Sequence, residues 1–216
     1  MQLHENDSYW AKNASRFDKH IHSDIEVLVK KIGNDIGHVD RVLDVAAGTG
    51  VVSLELAKRV RQVDALDLEP KMISVAQKKA DESRIVNISF HVQSAYELDF
   101  PDHIFDAVVI LNSLHVMKAP DVALGEARRV IKPAGLLVAP TYCHAETAES
   151  LDNYQRWASK SGHKSYYLFT CNSLCALISG CGFEVKKKRT VEIKHERQSQ
   201  GMMLGYVVAS PAPAVS

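Results

Sequence analysis

The sequence predicts an α/β fold, a mostly parallel sheet with helices on both faces. Three observations carry this. From Arg41 to Ala139, short apolar runs alternate with amphipathic helical stretches. The first run enters a glycine-containing turn that opens a helix, and the second ends at an acid, Asp67. Near-continuous apolar runs of this length suit parallel strands that are covered on both sides.

Each element follows from its own residues. In Tyr9–Lys31, Trp10, Phe17, Ile21, Ile25, Leu28, Val29 and Ile32 recur at helical spacing, with Asp7-Ser8 placed to cap the start. Arg41–Val45 is a buried strand, Val51–Val60 a helix and Val63–Leu68 a second strand. Pro70 opens a helix to about Asp81, at a position that tolerates proline. Ile88–Val92 and Phe105–Leu111 are the third and fourth strands. Asp121–Ile131 is a helix ended by Pro133, and Gly135–Ala139 is the fifth strand. Glu146–Lys160 and Cys171–Ser179 read as helices. Phe183–Ile193 and Met202–Ala209 read as an antiparallel hairpin around the polar stretch Lys194–Gly201.

The chain of 216 residues is 46% hydrophobic and 24% charged, enough apolar material for one core. One domain is expected over residues 1–210, with 1–37 a helical cap, 142–169 a second cap and 211–216 a frayed tail. Lys plus Arg and Asp plus Glu both number 26, so nothing in the charge asks for nucleic acid or an anionic membrane. The first residues lack the basic head and apolar run of a secretory signal, and no apolar stretch approaches the roughly 18 residues of a membrane span. The four cysteines are too sparse for a disulfide scaffold, which points to the cytoplasm. A monomer or homodimer is expected.

The chemistry concentrates in Val42-Leu43-Asp44-Val45-Ala46-Ala47-Gly48-Thr49-Gly50. Glycines there allow positive φ and close approach of a ligand to the backbone. Asp67, 23 positions after Asp44, is placed to hold ribose hydroxyls. The pattern fits both nicotinamide dinucleotides and S-adenosylmethionine (SAM). Ala46 stands where a dinucleotide site needs its first glycine. The Asp44 carboxylate would repel a pyrophosphate and suit a cationic amine, which favours SAM.

The segment Leu43–Gly50 resembles the class I SAM-dependent methyltransferases, and within them the ubiquinone/menaquinone C-methyltransferase branch. Asp67-Leu68-Glu69-Pro70-Lys71-Met72-Ile73, Gln93–Leu98, Phe105–Val109 through Leu114-His115, and Glu126–Gly135 are similar to further segments in the family's order. The resemblance covers Tyr9 to Ala139. It implies a Rossmann-like sheet of seven strands in the order 3-2-1-4-5-7-6, with SAM as cofactor and a small-molecule methyl acceptor. It also implies roles. Asp44 would orient the SAM amine, and Ala46, Gly48 and Gly50 would lie beside the methionine part. Asp67 would hold the ribose, Leu68 would pack on the adenine, and Ala95 would meet the adenine edge. Asn112 would lie near the methionine end. Ser94 stands where the family often has an acid, and its hydroxyl can still accept a hydrogen bond.

Other residues carry two readings each. Tyr9 either covers the pocket or packs in a helix. His115, after the fourth strand, is a candidate general base or a structural histidine. Tyr142 and His144, after the fifth strand, are candidates to line the acceptor pocket. Cys171, Cys175 and Cys181 raise an arsenite or other thiophilic acceptor, but their spacing is not that of a zinc site, and no metal is expected. A catalytically silent SAM-binding protein is the remaining alternative.

Overall fold

A computed structural model describes residues 7–20, 23–193 and 202–213. Strand β1 (Arg41–Val45) lies inside the sheet because Val42, Leu43 and Val45 are buried toward its two faces, with only Arg41 partly exposed. It pairs in parallel with β2 (Gln62–Asp67) on one side and β4 (Phe105–Val109) on the other. β3 (Ile88–Val92) extends the sheet beyond β2, and β5 (Ile131–Val138) beyond β4. β8 (Met202–Pro211) runs antiparallel to β5, to the short β6 (Thr141–Tyr142) and to β7 (Phe183–Ile193). Because β6 continues the line of β5 along β8, the sheet has the expected 3-2-1-4-5-7-6 order, with the fifth strand split at Ala139-Pro140.

Alternation along the strands fills two layers. Leu43, Val45, Val108 and Leu137 pack with Ala123, Leu124 and Ala127 of α5 (Pro120–Val130) and with Leu174 and Ile178 of α7 (Cys171–Gly180). Val42, Val63, Ala107, Val109 and Val138 pack on the other face with Leu28, Val29 and Ile32 of α2 (Ser23–Ile36) and with Val52 and Leu56 of α3 (Val51–Leu56). Helix α4 (Pro70–Glu82) starts three positions after Asp67 at the end of β2, capped by Glu69, whose side chain accepts from Lys71 N at 3.0 Å.

Several expectations are corrected. The single helix over Tyr9–Lys31 is instead α1 (Asp7–Asn13), a 3-10 segment Ala14–His20, and α2. An unbroken helix of that length would run about 35 Å in one direction. The break lets the chain turn back onto the sheet, where Asp18 is tied to the first glycine turn. Ile21 lies outside the described residues, as does the stretch Lys194–Gly201. The turn expected before the fifth strand is absorbed into β5: the register with β4 jumps from Phe105↔Ile131 to Ala107↔Leu136, and Pro133 sits in that bulge, where no ladder hydrogen bond is needed. The tail expected to fray from residue 211 is anchored further along. Pro211 pairs with Phe183, and Ala212 N donates to Gly182 O at 2.9 Å. Residues 214–216 lie outside the description. Among the described residues, no helix is long and apolar enough to cross a membrane.

Candidate active site

The turn after β1 is built on left-handed backbone. Ala46, Gly48 and Gly50 have φ of 54°, 56° and 78°. Ala47 N donates to Leu66 O at 2.8 Å, which fastens the turn to the end of β2, and Gly50 N closes on Ala47 O at 2.9 Å. A Cβ on Gly48 would meet nothing within 4 Å, whereas one on Gly50 would meet the Ala76 Cβ of α4 at 3.0 Å. Gly48 therefore borders open space, and Gly50 allows the turn to press on α4.

Asp44 is 1% exposed. Ser53 Oγ, in the first turn of α3, donates to its Oδ2 at 2.5 Å. Burial lifts the Asp44 carboxyl to about 7 against the pull of that hydrogen bond, and the negative charge of Asp67 adds to the lift. An acid this uncomfortable gains from a cation brought beside it.

Asp67 stands at the C-terminal end of β2. Its Oδ2 accepts from Gly48 N at 2.8 Å and its Oδ1 from Glu69 N at 2.9 Å. The acid thus braces the glycine turn as well as facing the cleft, a role that spacing alone does not reveal. Leu68, next along, leaves 38% of its surface exposed, an apolar patch beside the cleft. Ser94 Oγ accepts from Tyr96 N at 3.2 Å, and Ala95 packs against the core. The segment beyond is held from α5. Glu126 accepts from Leu98 N at 2.7 Å, and Arg129 donates to the Leu98 and Phe100 carbonyls, both at 2.7 Å.

The ends of β4 and β6 carry a different set. Asn112, in left-handed backbone at φ 52°, hydrogen-bonds the Tyr142 phenol through its side chain, and burial raises that phenol to about 12. His115 is 3% exposed and His144 1% exposed. The His115 ring meets Tyr142 at 5.8 Å and His144 at 5.3 Å, both edge-on, and His144 stacks on Tyr154 at 3.9 Å. Helix α6 (Ala148–Ser161) ends at Gly162 in left-handed geometry, and the chain then delivers His163. His163 lies 6.2 Å from His115, 4.7 Å from Trp157 and 5.3 Å from Tyr9. Burial lowers all three histidines, His144 and His163 to about 4, so the imidazoles are neutral at ordinary pH. Tyr166 and Tyr167 N both donate to the His115 carbonyl, at 2.8 and 3.1 Å, which anchors this segment to the end of β4. Tyr9, Trp10, Val116, His163 and Tyr166 are among the residues enclosing a cavity of about 30 Å³. That holds a water or so and no larger molecule.

Asp44, Ala46, Gly48, Gly50, Asp67 and Leu68 thus lie together along the β1 and β2 ends. His115, Tyr142 and His144 form one ring cluster, which Tyr9 joins through His163. The folded chain adds Ser53, Asp18, His163, Tyr154 and Trp157 to these residues. Ser53 had a signal, since it lies within the helix that the motif opens. The rings of α6 and His163 had none beyond their place in residues 142–169. The fit to SAM rests on three features: an amine-sized need for positive charge at Asp44, open space over Gly48, and an unpartnered Asn112 Oδ1. The cysteines lie elsewhere. Cys143, next after β6, packs in the layer opposite Tyr142, with Cys171 and Leu174. Burial pushes its thiol to about 12. Among the described residues, no group of three His, Cys, Asp or Glu side chains is placed to hold a metal ion.

Residues 42–135 match the family described as a methyltransferase domain. The ubiquinone/menaquinone biosynthesis C-methyltransferase UbiE of Rickettsia massiliae is 35% identical over 136 residues, 59% of this chain and 53% of that protein. The chain therefore spans about half the length of that relative. The protein of the same name from Rickettsia akari is 28% identical over 195 residues, 81% of this chain and 77% of its own. Two solved structures share the fold. A putative methyltransferase from Haloferax volcanii, in complex with the Trm112 activator, has a TM-score of 0.75 at 16% identity, covering 98% of this chain and 100% of that one. A SAM-dependent methyltransferase from Thermotoga maritima, described as a possible histamine N-methyltransferase, has a TM-score of 0.74 at 18% identity, covering 94% and 98%. The motif order and the sheet order agree with that match, so residues 42–135 carry a SAM-dependent methyltransferase domain.

Proposed function

We propose that this chain transfers the methyl group of SAM to a small-molecule acceptor held beside His115, Tyr142 and His144. The observation that carries the reading is the buried cluster of neutral imidazoles at the ends of β4 and β6. His115 Nδ1 and both ring nitrogens of His144 have no partner among the described residues. Buried polar atoms left so are costly unless a ligand or water engages them. In parallel α/β sheets, ligands bind at this edge.

The residues divide the work. Asp44, Ala46, Gly48 and Gly50 would receive the amino-acid end of the cofactor, Asp67 the ribose, and Leu68, Ser94 and Ala95 the adenine. Asn112 would border the methionine end, with Tyr9 above. When bound, SAM supplies a methyl group already activated by the positive charge on its sulfur, so placement of the acceptor does most of the work. A neutral imidazole keeps a lone pair, so His115 can take a proton from an acceptor that must lose one. Residues 7–20 and 142–169 act as caps that open to admit the acceptor, since His115 and His144 are almost fully buried. On this reading residues 1–210 form one domain, a monomer or homodimer working in the cytoplasm. Thiophilic acceptors find little support, because the buried thiols lie in the opposite layer from Tyr142.

The test incubates the purified chain with SAM and a panel of phenols, amines, heteroaromatic rings, thiols and arsenite, and measures S-adenosylhomocysteine (SAH). Turnover with an acceptor, reduced in His115→Ala, is expected. SAM binding without turnover on any acceptor would leave a silent binding protein.

A further inference from the structure

Thr49 lies between the two glycines of the turn after β1 and is fully buried. Its hydroxyl needs a partner, and the partner comes from 31 residues earlier in the chain: it donates to Oδ1 of Asp18, in the 3-10 segment. The other oxygen, Oδ2, accepts from Lys79 Nζ of α4 at 2.7 Å. The same ammonium also donates to the Thr49 carbonyl at 2.8 Å. One carboxylate and one ammonium thus chain three elements together: the N-terminal segment, the glycine turn and the helix that follows Asp67. The pair is only partly exposed, 38% for Asp18 and 28% for Lys79. Charge-assisted hydrogen bonds in such a setting are stronger and more directional than neutral ones. The same N-terminal segment carries Phe17 against Trp10, and Tyr9 and Trp10 against His163 on the other side of the cleft.

From this geometry we propose that Asp18 is a positioning residue that makes the N-terminal segment and the glycine turn close as one unit, coupling cofactor occupancy to the closure of residues 7–20. A ligand that settles the turn settles Thr49, and through Asp18 it settles the segment above. Loosening the segment frees the turn in the same way, because coupling between two sites is reciprocal. The inference rests on the glycine turn being the cofactor's seat.

The experiment measures SAH binding by calorimetry and trypsin cleavage after Lys12 and Arg16, with and without SAH. Asp18→Ala and Thr49→Val should each raise the SAH dissociation constant about tenfold, the scale of one charge-assisted hydrogen bond. Thr49→Ser, which keeps the hydroxyl, should bind as wild type does. The double variant Asp18→Ala/Thr49→Val should bind no worse than Asp18→Ala alone, since removing Asp18 already breaks the bond that Thr49 makes. SAH should slow cleavage in wild type and leave it unchanged in Asp18→Ala. A stabilising role without coupling would lower the melting temperature and leave SAH affinity and protection intact, and that result overturns the proposal. If Asp18→Ala does not fold, the contrast between Thr49→Val and Thr49→Ser decides it in the same terms. Absence of SAH binding in wild type would instead overturn the cofactor assignment, and this inference with it.

Discussion

The two halves of the strand edge treat their polar groups in opposite ways. On the cofactor side, at the ends of β1 and β2, Ser53 serves Asp44, the Gly48 and Glu69 amides serve Asp67, and Asp18 with Lys79 serves Thr49. On the acceptor side, at the ends of β4 and β6, His115 Nδ1, both His144 nitrogens, Ser113 Oγ and Thr141 Oγ1 have no partner among the described residues. One half is organised before any ligand arrives. The other presents neutral donors and acceptors under a cover of aromatic rings. On the proposed reading, the cofactor's seat is set by short-range backbone architecture, while the acceptor would be read by side chains gathered from distant segments.

If that division holds, damage to one half should spare the other. The largest effect is expected from His115→Ala. With a turning-over acceptor, kcat should fall by about a hundredfold or more, within the usual range for a general base. SAH affinity should stay within about twofold of wild type. Equal losses in both would merge the two halves, and unchanged turnover across pH would make His115 structural.

Asp44→Asn should weaken SAH by about 1.5–3 kcal/mol, the worth of a charged hydrogen bond. Its ligand-free melting temperature should not fall, because the substitution removes a buried charge that burial already disfavours. A variant that binds SAH normally would mean that the carboxylate serves only Ser53. Asp67→Ala differs in kind. It should lose SAH affinity and also cost roughly 1–3 kcal/mol of ligand-free stability, because the amides of Gly48 and Glu69 lose their acceptor. Calorimetry with and without SAH separates the two losses, and a stable variant with normal affinity would break the assignment.

The smallest effect is the sharpest in sign. The Asp44 carboxyl is raised from 3.8 to about 7 by burial, so without ligand it holds a proton below that value. An amine gains only from the ionised form. SAH affinity should therefore fall by about threefold between about pH 7.5 and 6.5, and level off above. Because the folded value exceeds the unfolded one, this group's contribution to ligand-free stability is present below 3.8 and is lost as pH rises toward about 7. An affinity flat from about pH 5 to 8 would show that Asp44 does not meet the amine.

Much of the proposed cofactor half is legible in the chain. Asp44, Gly48, Gly50 and Asp67 sit in consecutive strand ends and turns, where local spacing fixes position. The double duty of Asp67 was not legible, because Gly48 comes within 2.8 Å only after β1 and β2 pair. His115, Tyr142 and His144 could be placed at the right edge from their strands. Their mutual ring contacts, and the arrival of His163 beside them, depend on how α6 and its following segment pack back on the His115 carbonyl. The expected long N-terminal helix failed for the same reason. Its apolar spacing describes a helical face, while the bond from Thr49 to Asp18 across the cleft accompanies the break.

The sequence by itself determined the α/β alternation, the first five strands, and the strand-end acids around a glycine turn. Those depend on the period of apolar residues and on backbone conformations open to glycine, both written into neighbouring positions. Only the tertiary structure decided which distant side chains satisfy or abandon one another. It lifted Asp44 by burying it, tied Asp18 to Thr49, split the fifth strand at Pro140, and left three histidines neutral among aromatic rings. Desolvation and long-range hydrogen bonding belong to the packed chain, and no short window of sequence contains them.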